Sequence, residues 1–273
     1  MTFVLNRRKR FPPLWKFKIY TKRQRHKKLL SIINIILNSS NVEECLLKIQ
    51  DISQRQLNFI ERRTKLQSEE EDWFHYRKGV ITGTLTYRVS KAVKRRKISN
   101  SINNSISKIT SVPLYYPAIV WGKNYEKYAI EAFIKSIKPK HYNLNVSRAG
   151  LKLDDTHHFI GASIDGLVKC SCCKPAILEV KCPYSIKDGS VADDGYKLQY
   201  LTKDLQLKTS HHYYFQLQTY LGVYKLSKGY FCVYTPKDIL VLTIDFDEKF
   251  WNSLKEDICT YYKDYYLKKI YSN

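Results

Sequence analysis

The run "AILEVKCP" at residues 176 to 183 sets a glutamate and a lysine two positions apart inside an otherwise apolar, strand-like stretch. Residues two apart on a strand share a face, so Ile177, Glu179 and Lys181 point one way while Leu178, Val180 and Cys182 point the other, the second row being a core face. Upstream, "HHFIGASIDGLV" reads as a partner strand and "KCSCCKP" as the tight connection between the two. A hairpin centred on Cys172 sets Asp165 across from Glu179, with side chains about 5 Å apart. Two carboxylates that close repel unless something cationic sits between them. An oxygen-rich setting of that kind suits a hard divalent ion such as Mg²⁺, with Mn²⁺ as a substitute. A cation there polarises a phosphodiester and acidifies a water, while Lys181 orients that water or stabilises developing negative charge. That is nuclease chemistry. The competing reading of the same residues is a cross-strand salt bridge on a solvated sheet face.

Several elements must hold these groups. Leu46, Ile49, Ile52, Leu57 and Ile60 recur at helical spacing between Val42 and Gln67 and predict one or two packed helices. "WGKNYEKYAIEAFIKSI" at 121 to 137 puts Tyr125, Ala129, Ala132 and Phe133 on one stripe, with Glu126 beside it. The polar stretch "SNSINNSISKITS" reads as a loop or a weak helix, with a turn at Pro113. "HHYYFQLQTYLGVYKL" is a further amphipathic helix, and "GYFCVYTP" and "ILVLTIDF" are two more strands. Helix, hairpin, helix, strand pair and terminal helix make a mixed α/β (α+β) layer arrangement. The expected organisation is a basic arm over 1–42, a helical lead-in over 43–70 and the main domain over 71–273.

Charge points to the partner. Across 273 residues, 47 Lys and Arg against 25 Asp and Glu leave +22, more than solubility requires, so nucleic acid leads as the partner and an anionic membrane surface trails. Residues 1–42 hold eleven Lys or Arg and no acidic residue, including "RRKR" at 7–10 and "KRQRHKK" at 22–28. "KAVKRRK" at 91–97, with Lys94, Arg95 and Arg96, is a second basic patch, and both read first as phosphate contacts. As nuclear import signals they are weak. No apolar run approaches the roughly 18 to 20 residues of a membrane span, and the N-terminus does not read as a secretory signal.

Seven cysteines form no obvious disulfide framework and indicate a reducing, intracellular compartment. Cys170, Cys172, Cys173 and Cys182 do not make up the usual pair of Cys-x-x-Cys motifs of a zinc or iron–sulfur site, so reduced thiols in a turn are the favoured reading. The pairs His157 with His158 and His211 with His212 are expected at a strand edge and a helix start. Arg77 follows Trp73 by four and so suits either stacking on that ring or a phosphate.

Taken together, "GASIDGLV", "ILEVKCP" and "FQLQTY", with "TKLQSEEEDWFHYRKGVITGT" at 64–84 and "WGKNYE" at 121–126, resemble the YqaJ-like viral recombinase family. That family is similar to phage lambda exonuclease. The resemblance spans roughly residues 55 to 260. It implies a restriction-endonuclease-like core: a central mixed sheet with a catalytic hairpin flanked by helices, here with a basic helical N-terminal extension. It further implies that Asp165 and Glu179 bind the metal, that Lys181 is the catalytic lysine, and that Glu126 is the acidic residue from the preceding helix. Gln216 with Tyr220 matches the Gln-x-x-x-Tyr motif bordering the site, Tyr220 counting among the residues expected to contact DNA, with Gln218 as the near alternative to Gln216. Arg77, Thr82 and Thr84 fall in the segment that contacts DNA phosphates, including the 5′ end. Ser163-Ile164-Asp165-Gly166 stands where the family has Ser-Pro-Asp-Gly, a difference of backbone rather than of ligands.

The function implied is a Mg²⁺-dependent nuclease, a 5′ to 3′ exonuclease on linear double-stranded DNA in recombination or repair. A single-strand annealing protein is an implied partner and a ring-shaped homotrimer an implied assembly. The alternatives are a structure-specific endonuclease and a non-catalytic DNA-binding module.

Overall fold

The computed structural model describes residues 31–107 and 116–272. The basic runs at 7–10 and 22–28 and the turn expected at Pro113 lie outside them. Helices α1 (Ile32–Leu37), α2 (Val42–Gln50), α3 (Gln54–Arg63) and α4 (Glu71–Arg77) lead into the main body. They are short, and two of them are capped by side chains: Asn41 accepts from the Glu44 amide at the start of α2, and the Gln56 side chain accepts from the Ser53 amide at the start of α3. Ile32 and Ile36, assigned by sequence to the basic arm, are buried at 1 % exposure each.

After strand β1 (Ile81–Thr82) come α5 (Gly83–Lys94) and α6 (Asn100–Ser107). The latter takes up residues 100–107 of the polar stretch, and it is helical because Ile102 and Ile106, four apart, are buried while Asn103 accepts from Tyr261 Oη at 2.8 Å. Helix α7 (Pro117–Ile137) begins with proline at its first position, where the missing N–H costs no hydrogen bond.

Strands β2 (Asn145–Ser147), β3 (Lys152–Leu153), β4 (Ile160–Ala162), β5 (Gly166–Lys169) and β6 (Ala176–Lys181) follow, then helix α8 (His212–Tyr224), strands β7 (Lys228–Tyr234) and β8 (Ile239–Asp245), and helix α9 (Glu248–Thr260). They form two mixed sheets. One runs β1-β4-β3, with β1 and β4 parallel; the other runs β2-β5-β6-β7-β8, with β6 and β7 parallel and the remaining pairs antiparallel.

Both faces of the five-stranded sheet are covered. Ala129, Phe133 and Ile137 of α7 close one face over Val168, Leu178, Val180 and Cys232, while Ile177 and Phe231 face the larger core that contains α8. The Leu178 row is therefore a core face as expected. The Glu179 row, which the salt-bridge reading put on a solvated face, is covered as well.

Candidate active site

Strands β5 and β6 pair in the register of a turn about Cys172, with Gly166 opposite Leu178 and Val168 opposite Ala176. One step beyond, the Asp165 amide donates to the Leu178 carbonyl at 3.1 Å, and Asp165 Oδ2 accepts from the Val180 amide at 2.8 Å. The hairpin backbone thus grips Asp165 beside Glu179. Glycine follows it because β2 presses close: a Cβ on Gly166 would stand 2.7 Å from Val146 Cγ1.

Glu179 is 3 % exposed in the middle strand of the sheet, where an ionised carboxylate is costly unless its oxygens are partnered. Its Oε1 accepts from Lys181 Nζ at 2.5 Å and from Gln216 Nε2 at 2.8 Å. Its Oε2 is equally buried and accepts no hydrogen bond among the described residues. The Lys181 ammonium also lies 4.7 Å over the Tyr213 ring. Burial opposes that charge, but Glu179, Tyr213 and Asp165 outweigh it and raise the Lys181 pKa. Lys181 is a fixed cation, suited to stabilising negative charge rather than accepting a proton.

Glu126 of α7 lines a cleft of about 350 Å³ whose wall includes Asp165 and whose rim carries Lys65, Lys123 and Arg148. It is reached by solvent yet ringed by protein, and that partial burial, with the charge of Glu179, raises its carboxyl against the pull of Arg148 and Lys181. Burial, then Glu179, hold Asp165 well above the ordinary carboxylate range, Lys181 lowering it and Glu126 adding to the rise. Two raised carboxyls beside Glu179, one of whose buried oxygens is unpartnered, form a donor set that a hard divalent cation fits.

Helix α8 passes behind this group. Tyr213, Gln216 and Tyr220 fall at i, i+3 and i+7 on one face. Gln216 is 4 % exposed, and its Nε2 donates to Glu179 and, at 2.7 Å, to Tyr220 Oη. The alternative, Gln218, faces elsewhere: its Nε2 donates to the Asp245 carbonyl at 2.9 Å and its Oε1 accepts from the Asp247 amide at 2.9 Å. Tyr220 corrects the sequence reading. It is 2 % exposed, so its ring is not a DNA-contacting surface; it packs on Gly83, where a Cβ would meet its Cε1 at 2.5 Å.

Arg77 both stacks and hydrogen-bonds. Its guanidinium lies 4.1 Å over the Trp73 ring, Nη1 donates to Ser163 Oγ at 3.3 Å and Nη2 to Thr82 Oγ1 at 3.1 Å. Thr82 Oγ1 is 3.2 Å from Thr84 Oγ1. Parallel pairing sets Thr82 beside Gly161, two residues before Ser163, so this group abuts the approach to Asp165. Burial pushes Arg77 down to about 10, and its Nε finds no partner among the described residues. Thr82 also occupies the N-cap position of α5 without a capping hydrogen bond from its side chain, at the positive end of the helix dipole.

Lys94, Arg95 and Arg96 are exposed where α5 ends, with Lys94 Nζ 3.8 Å from Asp257. Twelve residues of helix separate them from Thr82, about 18 Å along the axis. They belong to the surroundings of the carboxylates, not to their immediate shell.

Among the histidines, His211 caps α8, its ring accepting from the Tyr213 amide at 3.3 Å. His158 is a core residue rather than a strand-edge one, 5 % exposed with Nδ1 2.8 Å from the Ile49 carbonyl. Cys182 does not join the other cysteines but packs with Ala129, Val180 and Cys232.

Sequence reasoning missed Ser163, Tyr213, Arg148 and Gln67. Tyr213 was legible as the third member of the α8 stripe. Ser163 lies in a motif whose chemistry is carried by its neighbour Asp165, and so drew no role of its own. Gln67, whose Nε2 bonds the carbonyls of Ile164 at 2.8 Å and Ala149 at 3.2 Å, and Arg148 had no sequence signal.

The sequence matches the YqaJ-like viral recombinase domain over residues 72–227. No curated protein sequence matches. Among solved structures, an alkaline exonuclease (LHK-Exo) from Laribacter hongkongensis is similar at a TM-score of 0.52 and 18 % identity, over 74 % of this chain and 95 % of that one. The Shutoff and Exonuclease Protein from Kaposi's sarcoma-associated herpesvirus is similar at a TM-score of 0.55 and 11 % identity, over 84 % and 76 %. A SOX–DNA complex is similar at 0.52 and 12 % identity, over 85 % and 77 %. The two mixed sheets and their flanking helices are thus the restriction-endonuclease-like fold, and the chain belongs to the YqaJ-like viral recombinase family.

Proposed function

We propose that this chain is a metal-dependent DNA nuclease, acting as a 5′ to 3′ exonuclease on linear duplex DNA. The observation that carries the reading is the unpartnered, buried Oε2 of Glu179 beside the raised carboxyls of Asp165 and Glu126. Asp165 and Glu179 would hold a divalent cation, Mg²⁺ by their hardness, with Glu126 completing the set. Bound there, that ion supplies Lewis acidity toward a scissile phosphate and lowers the pKa of a water.

The protein's own groups do the rest. Lys181 keeps a permanent positive charge next to the carboxylates and stabilises negative charge developing at phosphorus. Gln216 holds Glu179 Oε1, which leaves Oε2 as the oxygen that would serve a cation. Arg77, with Thr82, Thr84 and the start of α5, suits a terminal phosphate, since a guanidinium fork and a helix N-terminus both favour that dianion. Family membership and the likeness to a structure solved with DNA support nucleic acid as substrate, as does the net charge of +22.

The test is a time course with Mg²⁺ on a 5′-phosphorylated linear duplex beside the same DNA as a closed circle. The reading expects loss of the linear form alone, with 5′-labelled ends released first. It also expects Lys181→Ala to lower turnover about 10²–10³-fold while DNA affinity stays within a few-fold. Cutting of the circle would replace exonuclease with endonuclease, and an unaffected Lys181→Ala would remove the assignment of that lysine.

A further inference from the structure

At the end of the catalytic hairpin opposite Asp165, a second group of ligand atoms converges. Cys170, Cys172 and Cys173 lie in the turn after β5, and His141 lies in the connection between α7 and β2. One donor atom from each falls within 4.8 Å of every other. His141 Nδ1 is 3.5 Å from the Cys170 sulfur and 3.6 Å from those of Cys172 and Cys173. The Cys172 sulfur is 3.5 Å from that of Cys170 and 3.8 Å from that of Cys173.

These are the edges of a coordination tetrahedron. With metal–sulfur bonds of about 2.3 Å and a metal–nitrogen bond of about 2.0–2.1 Å, a tetrahedral zinc site requires sulfur–sulfur edges near ~3.8 Å and nitrogen–sulfur edges near ~3.6 Å. Apolar burial does not account for the convergence, because Cys172 and Cys173 are exposed and all three thiols are free. A disulfide would use two thiols and leave the third and the imidazole without a purpose. A cluster of several irons would hold its thiolates further apart than one ion does.

The two segments are braced independently. The Ser171 amide donates to the Tyr142 carbonyl at 2.9 Å, and Asn143 Nδ2 donates to Ser171 Oγ at 3.0 Å. Asn143 has φ 52, a left-handed conformation that asparagine tolerates and that brings its side chain back to the turn.

We propose that His141, Cys170, Cys172 and Cys173 bind one Zn²⁺ ion as a structural clamp. It ties the hairpin that carries Asp165 and Glu179 to the end of α7, the helix that carries Glu126. Thiolates and an imidazole select zinc, whereas the carboxylates at the other end of the hairpin select a hard ion, so one hairpin sorts two metals by ligand softness.

The test uses the full chain purified without chelator. Elemental analysis should find about one zinc per chain, and Co²⁺ exchanged into the protein should give the visible absorption of tetrahedral thiolate coordination. His141→Ala should lose at least nine-tenths of the zinc and the cobalt absorption, whereas Asp165→Asn should keep both. A zinc-selective chelator should lower the melting temperature of the wild type by several degrees and leave that of His141→Ala unmoved. Should His141→Ala fail to fold by circular dichroism, the milder His141→Asn and the wild-type cobalt spectrum decide. A wild-type chain without zinc and without a tetrahedral cobalt spectrum overturns the proposal, as does zinc that follows Asp165 rather than His141.

Discussion

Asp165 is bound to the hairpin by the Val180 amide yet sits where ionisation is opposed by burial and by Glu179. Its folded pKa lies above the unfolded one, the reverse of a salt-bridged carboxylate. In metal-free protein it therefore takes stability away as pH rises past the unfolded value toward the folded one. Asp165→Asn keeps an oxygen for the Val180 amide and removes the charge. In EDTA at neutral pH the variant should melt higher than the wild type, by about 2–4 °C for each kcal/mol of repulsion relieved. Adding Mg²⁺ should raise the wild type and leave the variant still, as paired melting curves would read; a variant less stable in EDTA would refute the electrostatic account. Residue-scale legibility was uneven for a physical reason. Asp165 and Glu179 were readable because hairpin register follows from the turn centre. Gln216 and Gln218 remained open because two helix positions differ only in direction, which packing decides. Tyr220 was misread because sequence does not say which side of α8 faces the core, and that helix is buried almost all round.

Elements are joined by polar contacts that a sequence pattern leaves invisible. Asp154, just after β3, accepts at one oxygen from the amides of Thr156 at 3.1 Å and His157 at 2.8 Å, and Lys255 of α9 lies 3.5 Å from that oxygen. The Asp154 carboxylate, with help from Cys259, raises His157 to about 9. For a histidine so raised, the stabilisation is present in full below the unfolded value of about 6.5 and is lost as pH climbs through the folded value. The wild type's advantage over His157→Asn in melting temperature should thus be greatest below pH 6.5 and shrink across the window up to about pH 9. A difference independent of pH would assign the effect to packing. The helical lead-in, α7, α8 and strands β6 to β8 were legible from pattern, whereas α4, α5 and β1 to β3 were not, and the single strand expected in "HHFIGASIDGLV" divides into β4 of one sheet and β5 of the other. The α6 stretch stayed between loop and helix, because a run of Asn and Ser becomes helical only through the two isoleucines it buries. The convergence of His141 on the cysteines left no trace in spacing, since 29 residues separate it from Cys170.

Over the whole molecule, the proposed function gives the excess of positive charge the task of holding DNA. The turn after α5 gathers Lys94, Arg95 and Arg96 in exposed positions, about one helix length from the site. Replacing all three with alanine should weaken duplex binding and flatten the slope of log Kd against log salt, by about 0.9 for each phosphate no longer neutralised. The cleavage rate of bound DNA should stay unchanged, because none of the three touches the carboxylates. Binding titrations at several salt concentrations read the first effect and single-turnover cleavage the second; an unchanged slope would remove this surface from the DNA path.

The strand that carries Glu179 and Lys181 depends on elements that come later in the chain. Strand β6 lies between β5, its hairpin neighbour, and β7, to which it pairs in parallel from Ile177 with Gly229 to Lys181 with Val233. Gln216 reaches Glu179 from a helix that likewise emerges after the hairpin. During synthesis, a ribosome that has released everything up to residue 200 has delivered every carboxylate of the site, but neither the glutamine that aims Glu179 nor the strand that buries it. On the proposed function, activity therefore requires the chain through β7, and a chain that ends before Lys228 carries the acidic residues without an assembled centre.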